Sequence, residues 1–309
     1  MLGAREQMTA KQMLQARPSK ANRSIQGTVL VGIVTRNRAS VLPMAIESAL
    51  NQTYPRLKVA VLDDGSDDNT SRLRTAYPSV EWIRWDRSRG YLEARNYLMC
   101  HTDAEYYLSL DDDAWFTGND EISLAVQHME NNPSVAAVAF DILDSEHRMR
   151  RAVSNPRPTH LFIGCGHMLR LSQGREVGFY VPGPSFYGSE EMDLCIRLLD
   201  RNWEIHFLPG VHVWHDKTPV ARDMAAQYRS TVCNDLAFAV RRCPFPLLLG
   251  TVPVKLLNHL RFSAGKHLLN PYFSGLYLFL SSAVNVWRSR APVKTRTFFY
   301  FLRLTHQPR

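Results

Sequence analysis

Residues 106–113 join a short apolar run to three consecutive carboxylates, and this feature constrains the fold more than any other. The run at 106–110 has the length and composition of a buried strand, which places Asp111, Asp112 and Asp113 at its carboxyl end. Three adjacent anions repel one another and are costly to remove from water, so they favour a bound cation. Oxygen ligands suit Mg²⁺ or Mn²⁺, ions that commonly also hold a diphosphate. A solvated acidic turn or a helix start remains the alternative for the triplet taken alone.

Apolar runs and amphipathic segments alternate from residue 28 to about residue 215. The segments, in chain order, are a strand at 28–34, a helix at 40–50, a strand at 57–62, a helix at 69–76, a strand at 82–83 and a helix at 91–100. Ser40 is placed to cap the first helix. This order predicts an α/β fold with a doubly wound, mostly parallel sheet flanked by helices. The ligand site of such a sheet lies at the carboxyl ends of its strands.

The composition is that of an ordinary globular protein, with 45% apolar and 21% charged residues. The five cysteines show no CxxC spacing, which predicts reduced, mostly buried thiols of a cytosolic protein rather than zinc ligands or disulfides. Residues 1–20 have no apolar core of the kind found in signal peptides. A loosely ordered arm is expected over residues 1–27.

Charge is unevenly distributed along the chain. Residues 218–309 hold 13 Lys/Arg and 2 Asp/Glu, a net charge of +11, whereas the whole chain carries +8. This asymmetry predicts a catalytic domain at 28–217 and a basic, partly amphipathic helical region at 218–309. The basic residues are dispersed and no recognition motif accompanies them, which argues against a nucleic-acid partner.

The segment 268–287 contains twenty residues without a charge and is followed by a basic stretch. Polar residues dilute its hydrophobicity, so the preferred interpretation is an amphipathic segment on an anionic membrane surface. The expected location is therefore cytoplasmic, peripheral on the inner face of the cell membrane. Core packing or an oligomer interface, and a true membrane span, remain alternatives.

Three polar clusters, at 35–38, 63–66 and 111–113, fall at the ends of predicted strands. The wider sequence around them reads VGIVTRNR, AIESALNQTYP, VAVLDDGSDDNT, RGYLEARN, YLSLDDDAW and GSEEMDLCIRL, in this order. Over about residues 28–215 the chain thereby resembles the inverting glycosyltransferases of family 2, which have a GT-A fold. The resemblance does not extend to the basic C-terminal region.

The resemblance implies a set of residues that contact a nucleotide-sugar donor. These are Thr35, Asn37, Asp64, Gly90, Arg95, Asp111 and Asp112. Asp64 resembles the family residue that accepts a hydrogen bond from the ring N–H of a pyrimidine, and Arg95 could bind a phosphate oxygen. The alternatives are a turn-forming or helix-capping role for Asp63 and Asp64, with one residue for each role, and a surface salt bridge for Arg95.

The resemblance also implies a metal site and a general base. Asp111 and Asp113 match the first and last positions of a DxD motif, with Asp113 the more direct ligand, and His215 is an additional ligand for Mn²⁺ or Mg²⁺. Asp112 takes the variable position, where alternation along an extended chain would turn it away from its neighbours. Glu191 matches the base that deprotonates the acceptor, and Glu190 is the fallback. The alternative for both is an acidic first turn that serves only the helix dipole.

The function implied is metal-dependent transfer of a sugar, with inversion, from a UDP- or dTDP-type donor to a hydroxyl group. The acceptor would be a saccharide or a lipid-linked molecule in the synthesis of a cell-surface polysaccharide or glycolipid. One alternative is a nucleotidyltransferase, which would be expected to carry a Gly-rich basic loop, whereas residues 35–40 contain no glycine. The other is a non-catalytic nucleotide-sugar-binding protein at a membrane.

Overall fold

A computed structural model of the chain describes residues 27–145, 155–217 and 223–306. The predicted arm at 1–27 therefore lies outside the described residues, apart from Gly27. Within them the strands are β1 (Val29–Thr35), β2 (Leu57–Asp63), β3 (Glu81–Arg84), β4 (Tyr106–Asp111), β5 (Ala114–Phe116), β6 (Val135–Leu143), β7 (Arg157–Pro158), β8 (Gly166–Arg170) and β9 (Glu204–His215). The helices are α1 (Leu42–Leu50), α2 (Leu73–Ala76), α3 (Tyr91–Cys100), α4 (Glu121–Asn131), α5 (Leu171–Val177), α6 (Glu190–Asp200), α7 (Met224–Arg242), α8 (Leu248–Gly265), α9 (Leu269–Arg288) and α10 (Thr295–Thr305).

The strands form one sheet in the order β3-β2-β1-β4-β8-β6-β9-β5, with β7 paired to β9. The first four strands are parallel to one another. Beyond them β8 runs antiparallel to both β4 and β6, while β6 and β9 are parallel. Because the first half is wholly parallel, the carboxyl ends of β1, β2 and β4 meet at one edge. This arrangement confirms the predicted α/β fold class.

Helices cover both faces of the sheet, as the side chains of β1 illustrate. Val31 and Ile33 belong to a buried cluster that also contains Ile46 of α1. Leu30 belongs to a second cluster, which contains Leu98 of α3. Successive side chains of a strand point to opposite faces, so a strand that is apolar at every position is buried on both. The near-continuous apolar run of β1 follows from this position.

The predicted helix at 40–50 begins two residues later than expected. Its cap residue is Val41, which makes no side-chain capping bond, and a proline stands in the first turn. The N–H groups of Val41 and Leu42 both bond to the carbonyl of Arg38, at 3.1 Å. The prediction that Ser40 caps this helix is therefore wrong. The carbonyl of Arg38, in the turn before the helix, accepts the N–H groups at the helix start instead.

The C-terminal region is helical and packs closely on the sheet domain. Phe298, Phe301 and Leu304 of α10 lie in the same buried cluster as Leu194 and Leu198 of α6. Among the described residues, no helix combines the length and the apolar content needed to cross a bilayer. The division into domains at residue 217 remains a prediction.

A buried ion network joins α7 to α6. Arg242 of α7 contacts both carboxylate oxygens of Asp193, at 2.6 and 3.2 Å. Arg197, one turn further along α6, contacts the same carboxylate at 2.7 Å. The side chains of Arg242 and Asp193 are 8% and 7% exposed, so water contributes little to their solvation. This network fixes α7 against the helix whose first turn carries Glu190 and Glu191.

Replacing Arg242 with leucine tests this network. Arg242→Leu is expected to lower the free energy of unfolding by about 3 kcal/mol, the lower part of the range for breaking a buried pair, because Arg197 still neutralises Asp193. Urea unfolding followed by circular dichroism measures the change. The matched control is Arg261→Leu on the exposed surface of α8, expected to change stability by about 0.5 kcal/mol or less. Equal losses in the two variants would contradict a stabilising network.

Candidate functional site

The acidic triplet lies where β4 ends. Asp111 is the last residue of β4, and the chain then turns. Thr35 donates a hydrogen bond of 2.7 Å to Asp112, and one nitrogen of Arg38 lies 2.6 Å from Asp112 and 3.2 Å from Asp113. The prediction that Asp112 turns away from its neighbours is wrong, because the strand ends before it and two carboxylates share one guanidinium. Burial raises the pKa of Asp112 to about 6, although Arg38 opposes the rise.

Asp64, after β2, holds the loop that leads into α3. Its carboxylate accepts hydrogen bonds from the Ser88 hydroxyl at 2.6 Å and from the N–H groups of Arg89 and Gly90 at 2.7 and 3.0 Å. Gly90 has a φ of +94°, a conformation that favours glycine. The Thr35 carbonyl in turn accepts the N–H of Asp64 at 2.9 Å. Three predicted donor-binding residues, Thr35, Asp64 and Gly90, are thus brought together.

Asn37 joins the loops that follow β1 and β2. Its N–H donates to the Ser66 hydroxyl at 2.9 Å, and its side-chain oxygen accepts the N–H of Asp67 at 2.7 Å. Asp63 accepts the N–H of Ser66 at 2.8 Å. Asp63 therefore forms the turn at the end of β2, as one interpretation of the sequence predicted.

Arg95 is a buried cation at the centre of the site. Arg95 is 5% exposed, and its guanidinium lies 2.5 Å from Asp111 and 3.8 Å from Glu191. Burial by itself would lower the pKa of Arg95, but Asp111 and other neighbours raise it well above its ordinary value, so the group stays charged. The salt bridge predicted as the alternative role of Arg95 is present, but it is buried rather than at the surface.

Glu190 and Glu191 open α6 and have different partners. The Tyr91 hydroxyl donates a hydrogen bond to one oxygen of Glu190. Glu191 faces Arg95, and its side chain is 20% exposed. Burial raises the pKa of Glu191, the adjacent Glu190 raises it further, and Arg95 opposes both. A carboxyl group with a raised pKa and residual access is suited to general acid–base chemistry.

The described residues fit a divalent cation beside the triplet. Asp111, Cys165 and His215 each offer a donor atom, and these atoms lie within 4.8 Å of one another. The Nε2 atom of His215 is buried, lies 3.3 Å from Asp113, and makes no hydrogen bond with any described residue. A buried ring nitrogen in this state is suited to bind a metal ion.

The comparisons with known proteins agree with this geometry. The family model described as glycosyl transferase family 2 matches residues 30–190, a little more than half of the chain. The chain belongs to glycosyl transferase family 2. The site residues from Thr35 to Glu190 lie within the matched range, whereas Glu191 and His215 follow it in the chain. The family predicted from the sequence is confirmed.

An uncharacterized glycosyltransferase of Rickettsia conorii is 24% identical over 197 residues, which cover 58% of this chain and 32% of that protein. The chain spans about a third of the length of the first curated relatives that it matches. GalNAc-T7, solved with UDP, GalNAc and Mn²⁺, aligns with a TM-score of 0.59 and 16% identity over 71% of this chain and 48% of that one. A mannosyltransferase from Pyrobaculum calidifontis, solved with GDP-Man and Mn²⁺, aligns with a TM-score of 0.58 and 16% identity over 95% and 84%. These likenesses confirm the GT-A fold.

Three residues of the site make contacts that were not predicted from the sequence. Arg38 could have been found, because it belongs to the polar cluster after β1. Tyr91 stands beside the Gly90 motif, but its bond to Glu190 spans 99 positions. Cys165 was predicted as a buried thiol and not as a metal ligand, and it lies next to two predicted metal ligands. Contacts between distant parts of the chain leave no local signal.

Proposed function

We propose that the protein is a metal-dependent glycosyltransferase that moves a sugar from a nucleoside-diphosphate donor to a hydroxyl group with inversion. The donor base would be uracil or thymine, and the acceptor a saccharide or lipid-linked molecule of cell-surface polysaccharide or glycolipid synthesis. The observation that carries the proposal is one cluster of complementary groups. Glu191, the candidate base, and Asp111 of the acidic triplet meet there beside the buried cation Arg95, and Arg38 holds the other two carboxylates of the triplet.

The geometry supports a single displacement with Glu191 as the base. The acceptor oxygen attacks the anomeric carbon while the nucleoside diphosphate leaves from the opposite face, and Glu191 takes the hydroxyl proton. Glu190 is the weaker candidate because Tyr91 already binds one of its oxygens and it is only 5% exposed. Arg95 favours the carboxylate form of Glu191 and so opposes part of the rise in pKa that burial causes.

Asp111, Asp113 and His215 would hold a divalent cation, Mn²⁺ or Mg²⁺. When bound, the ion neutralises charge that develops on the leaving diphosphate. The two solved neighbours contain Mn²⁺ with UDP and with GDP-Man, respectively. Both purine and pyrimidine nucleotides thus occur on this fold, and the choice of a pyrimidine rests on the likeness of Asp64 to a family residue.

Paired glutamine substitutions test the base. Glu191→Gln should keep donor binding, while transfer falls by roughly 10²–10⁴-fold because general-base assistance is lost. Glu190→Gln is the matched control and should cost less. In the wild type, the pKa of Glu191 is raised. As the pH is lowered, kcat should therefore begin to fall at a pH above the usual titration range of a carboxylic acid. This acidic limb should disappear in Glu191→Gln.

Stopped assays and NMR of the product provide the measurements. Full activity in Glu191→Gln with loss in Glu190→Gln would move the base by one residue. A product that retains the anomeric configuration would overturn the displacement mechanism. Nucleotide-sugar binding without transfer to any hydroxyl acceptor would favour the non-catalytic alternative, and synthesis of a nucleotide sugar would favour the nucleotidyltransferase.

The metal assignment is tested with Asp113→Asn, which keeps the shape of the side chain and removes its charge. We expect loss of the Mn²⁺-dependent part of UDP or dTDP binding, measured by calorimetry with and without Mn²⁺. Arg38 remains neutralised by Asp112, so the change in stability should be small. Asp112→Asn is the control and should alter metal dependence much less. Unchanged metal dependence in Asp113→Asn would refute the assignment.

We also propose that the C-terminal region contacts the anionic inner face of the cell membrane. Successive exposed apolar residues run along α9 at intervals of three or four, on one side of the helix. They are Leu269, Phe273, Tyr277, Leu280, Val284 and Trp287. Three exposed cations lie nearby in the chain: Arg261 in α8, Lys266 directly after α8, and Arg288 at the end of α9. Apolar and basic groups together suit binding to anionic lipid.

Vesicle sedimentation tests the membrane contact. The protein should sediment with phosphatidylserine-containing vesicles at low salt and be released at high salt, because salt screens the Lys/Arg charges. Phe273→Ser combined with Leu280→Ser should weaken binding, whereas Met44→Ser, at an exposed position of α1, should not. Deletion of 251–309 is a poor test because α10 supplies buried core residues. No sedimentation, or equal sedimentation with neutral vesicles, would contradict the proposal.

A further inference from the structure

Cys165 lies at the edge of the acidic site and takes no part in the function proposed above. It stands between Gly164 and Gly166, just before β8, and is 2% exposed. Its sulfur shares a space with a carboxylate oxygen of Asp111 and a ring nitrogen of His215, all within 4.8 Å of one another. Among the described parts of the chain, this is the one group of three His, Cys, Asp or Glu residues with donor atoms so close.

Sheet pairing brings these three residues together. Gly166 of β8 pairs with Leu110 of β4, so the residues next to them in the chain, Cys165 and Asp111, are neighbours. His215 pairs with Ala114 of β5, just after the acidic triplet. The cluster is therefore set by backbone register, not by the conformation of a long surface side chain.

The separations fit coordination of one ion. Bonds from transition-metal ions to nitrogen, oxygen and sulfur measure about 2.0–2.3 Å, so donors on opposite sides of an ion are about 4–4.6 Å apart. Donors within 4.8 Å need only small side-chain rotations to meet one ion. His215 adds a further indication, because its buried Nε2 makes no hydrogen bond with the described residues, although it lies 3.3 Å from Asp113. Asp111 gives one oxygen to Arg95, and a carboxylate can accept further bonds.

We propose that Cys165 is a thiolate ligand of the divalent cation at this site, together with Asp111 and His215, and that it makes the site prefer transition-metal ions to Mg²⁺. The inference rests on the proposed function and refines its choice between Mn²⁺ and Mg²⁺. A soft sulfur donor binds transition-metal ions better than Mg²⁺, which prefers oxygen ligands and retained water. On binding, the S–H bond breaks, its proton passes to solvent and a sulfur–metal bond forms, with no change of oxidation state.

Because the protein itself supplies three donor atoms, we expect it to bind the ion in the absence of nucleotide. Cobalt is the probe, because a cobalt–thiolate bond gives a charge-transfer absorption in the near ultraviolet that oxygen and nitrogen ligands do not. Titration of the reduced full-length protein with Co²⁺ alone should produce this band at one equivalent. A large excess of Mg²⁺ should not remove it, whereas Mn²⁺ should compete more effectively than Mg²⁺.

Single substitutions identify the ligand. Cys165→Ser should lose the band and weaken Co²⁺ binding by roughly 10–100-fold or more, because loss of a partner that only supports a ligand already costs that much. Cys100→Ser is the matched control, since Cys100 is the exposed thiol and the most accessible adventitious ligand, and it should keep the band. Cys165→Ala provides a second variant if serine disturbs the packing of this buried position.

The spectra of the wild type and of the Cys165 variants can each overturn the proposal. Co²⁺ binding without a charge-transfer band would exclude the thiolate, as would a band that persists in Cys165→Ser or Cys165→Ala. If UDP or dTDP binding still depended on Mn²⁺ and on Asp113, the proposed function would stand and only the role of Cys165 would fall. If neither Co²⁺ binding nor metal-dependent nucleotide binding were found, the metal-dependent function would fall as well.

Discussion

The buried guanidinium of Arg95 is the interaction on which the arrangement of the site depends. A charge that is 5% exposed needs anions beside it, because burial without them costs several kcal/mol. Asp111 and Glu191 supply them, and they come from the end of β4 and the start of α6. Gly164 permits this approach, because a Cβ there would lie 2.4 Å from Glu191 and 2.9 Å from Arg95. Arg95 of α3 therefore links the end of β4 to the start of α6, and the loop before β8 packs closely against this pair of contacts.

Local patterns in the sequence predicted the parts of the structure that depend on local physics. The apolar runs at β1, β2 and β4 and the helical spacing of α1 and α3 appear within about two residues of their predicted bounds, because burial and periodicity act over a few residues. The predicted cap at Ser40 failed because a turn at Arg38 competes with it. The pairing of Arg38 with Asp112 and Asp113 spans more than 70 positions, so it has no local signature. The roles of the individual site residues rest on the resemblance, and they stay predictions.

Composition suggested a separate basic C-terminal region, but composition cannot report packing. Asn234 of α7 accepts the N–H of Ser185 and donates to the carbonyls of Ser185 and Tyr187, which fixes the loop that enters α6. The region therefore has two kinds of surface. The buried one, on α7 and α10, supports the helix of the candidate base. The exposed one, on α9, leaves an apolar row uncovered. The excess of positive charge is spread over the whole region, so it does not indicate which helices form the buried surface and which form the exposed one.

The balance of charge in the cluster gives a physical reason to expect the proposed metal ion. Asp111–Asp113, Glu190 and Glu191 provide five carboxylates, against the two guanidinium groups of Arg38 and Arg95. With all of them ionised, the formal charge is −3, which would repel a nucleoside diphosphate. The raised pKa values of Asp112 and Glu191 arise from the same shortage of solvation and positive charge. A divalent cation would reduce the formal charge to −1 and give the diphosphate a positive partner. The proposed ion would therefore make the acidic residues compatible with an anionic donor at the same place.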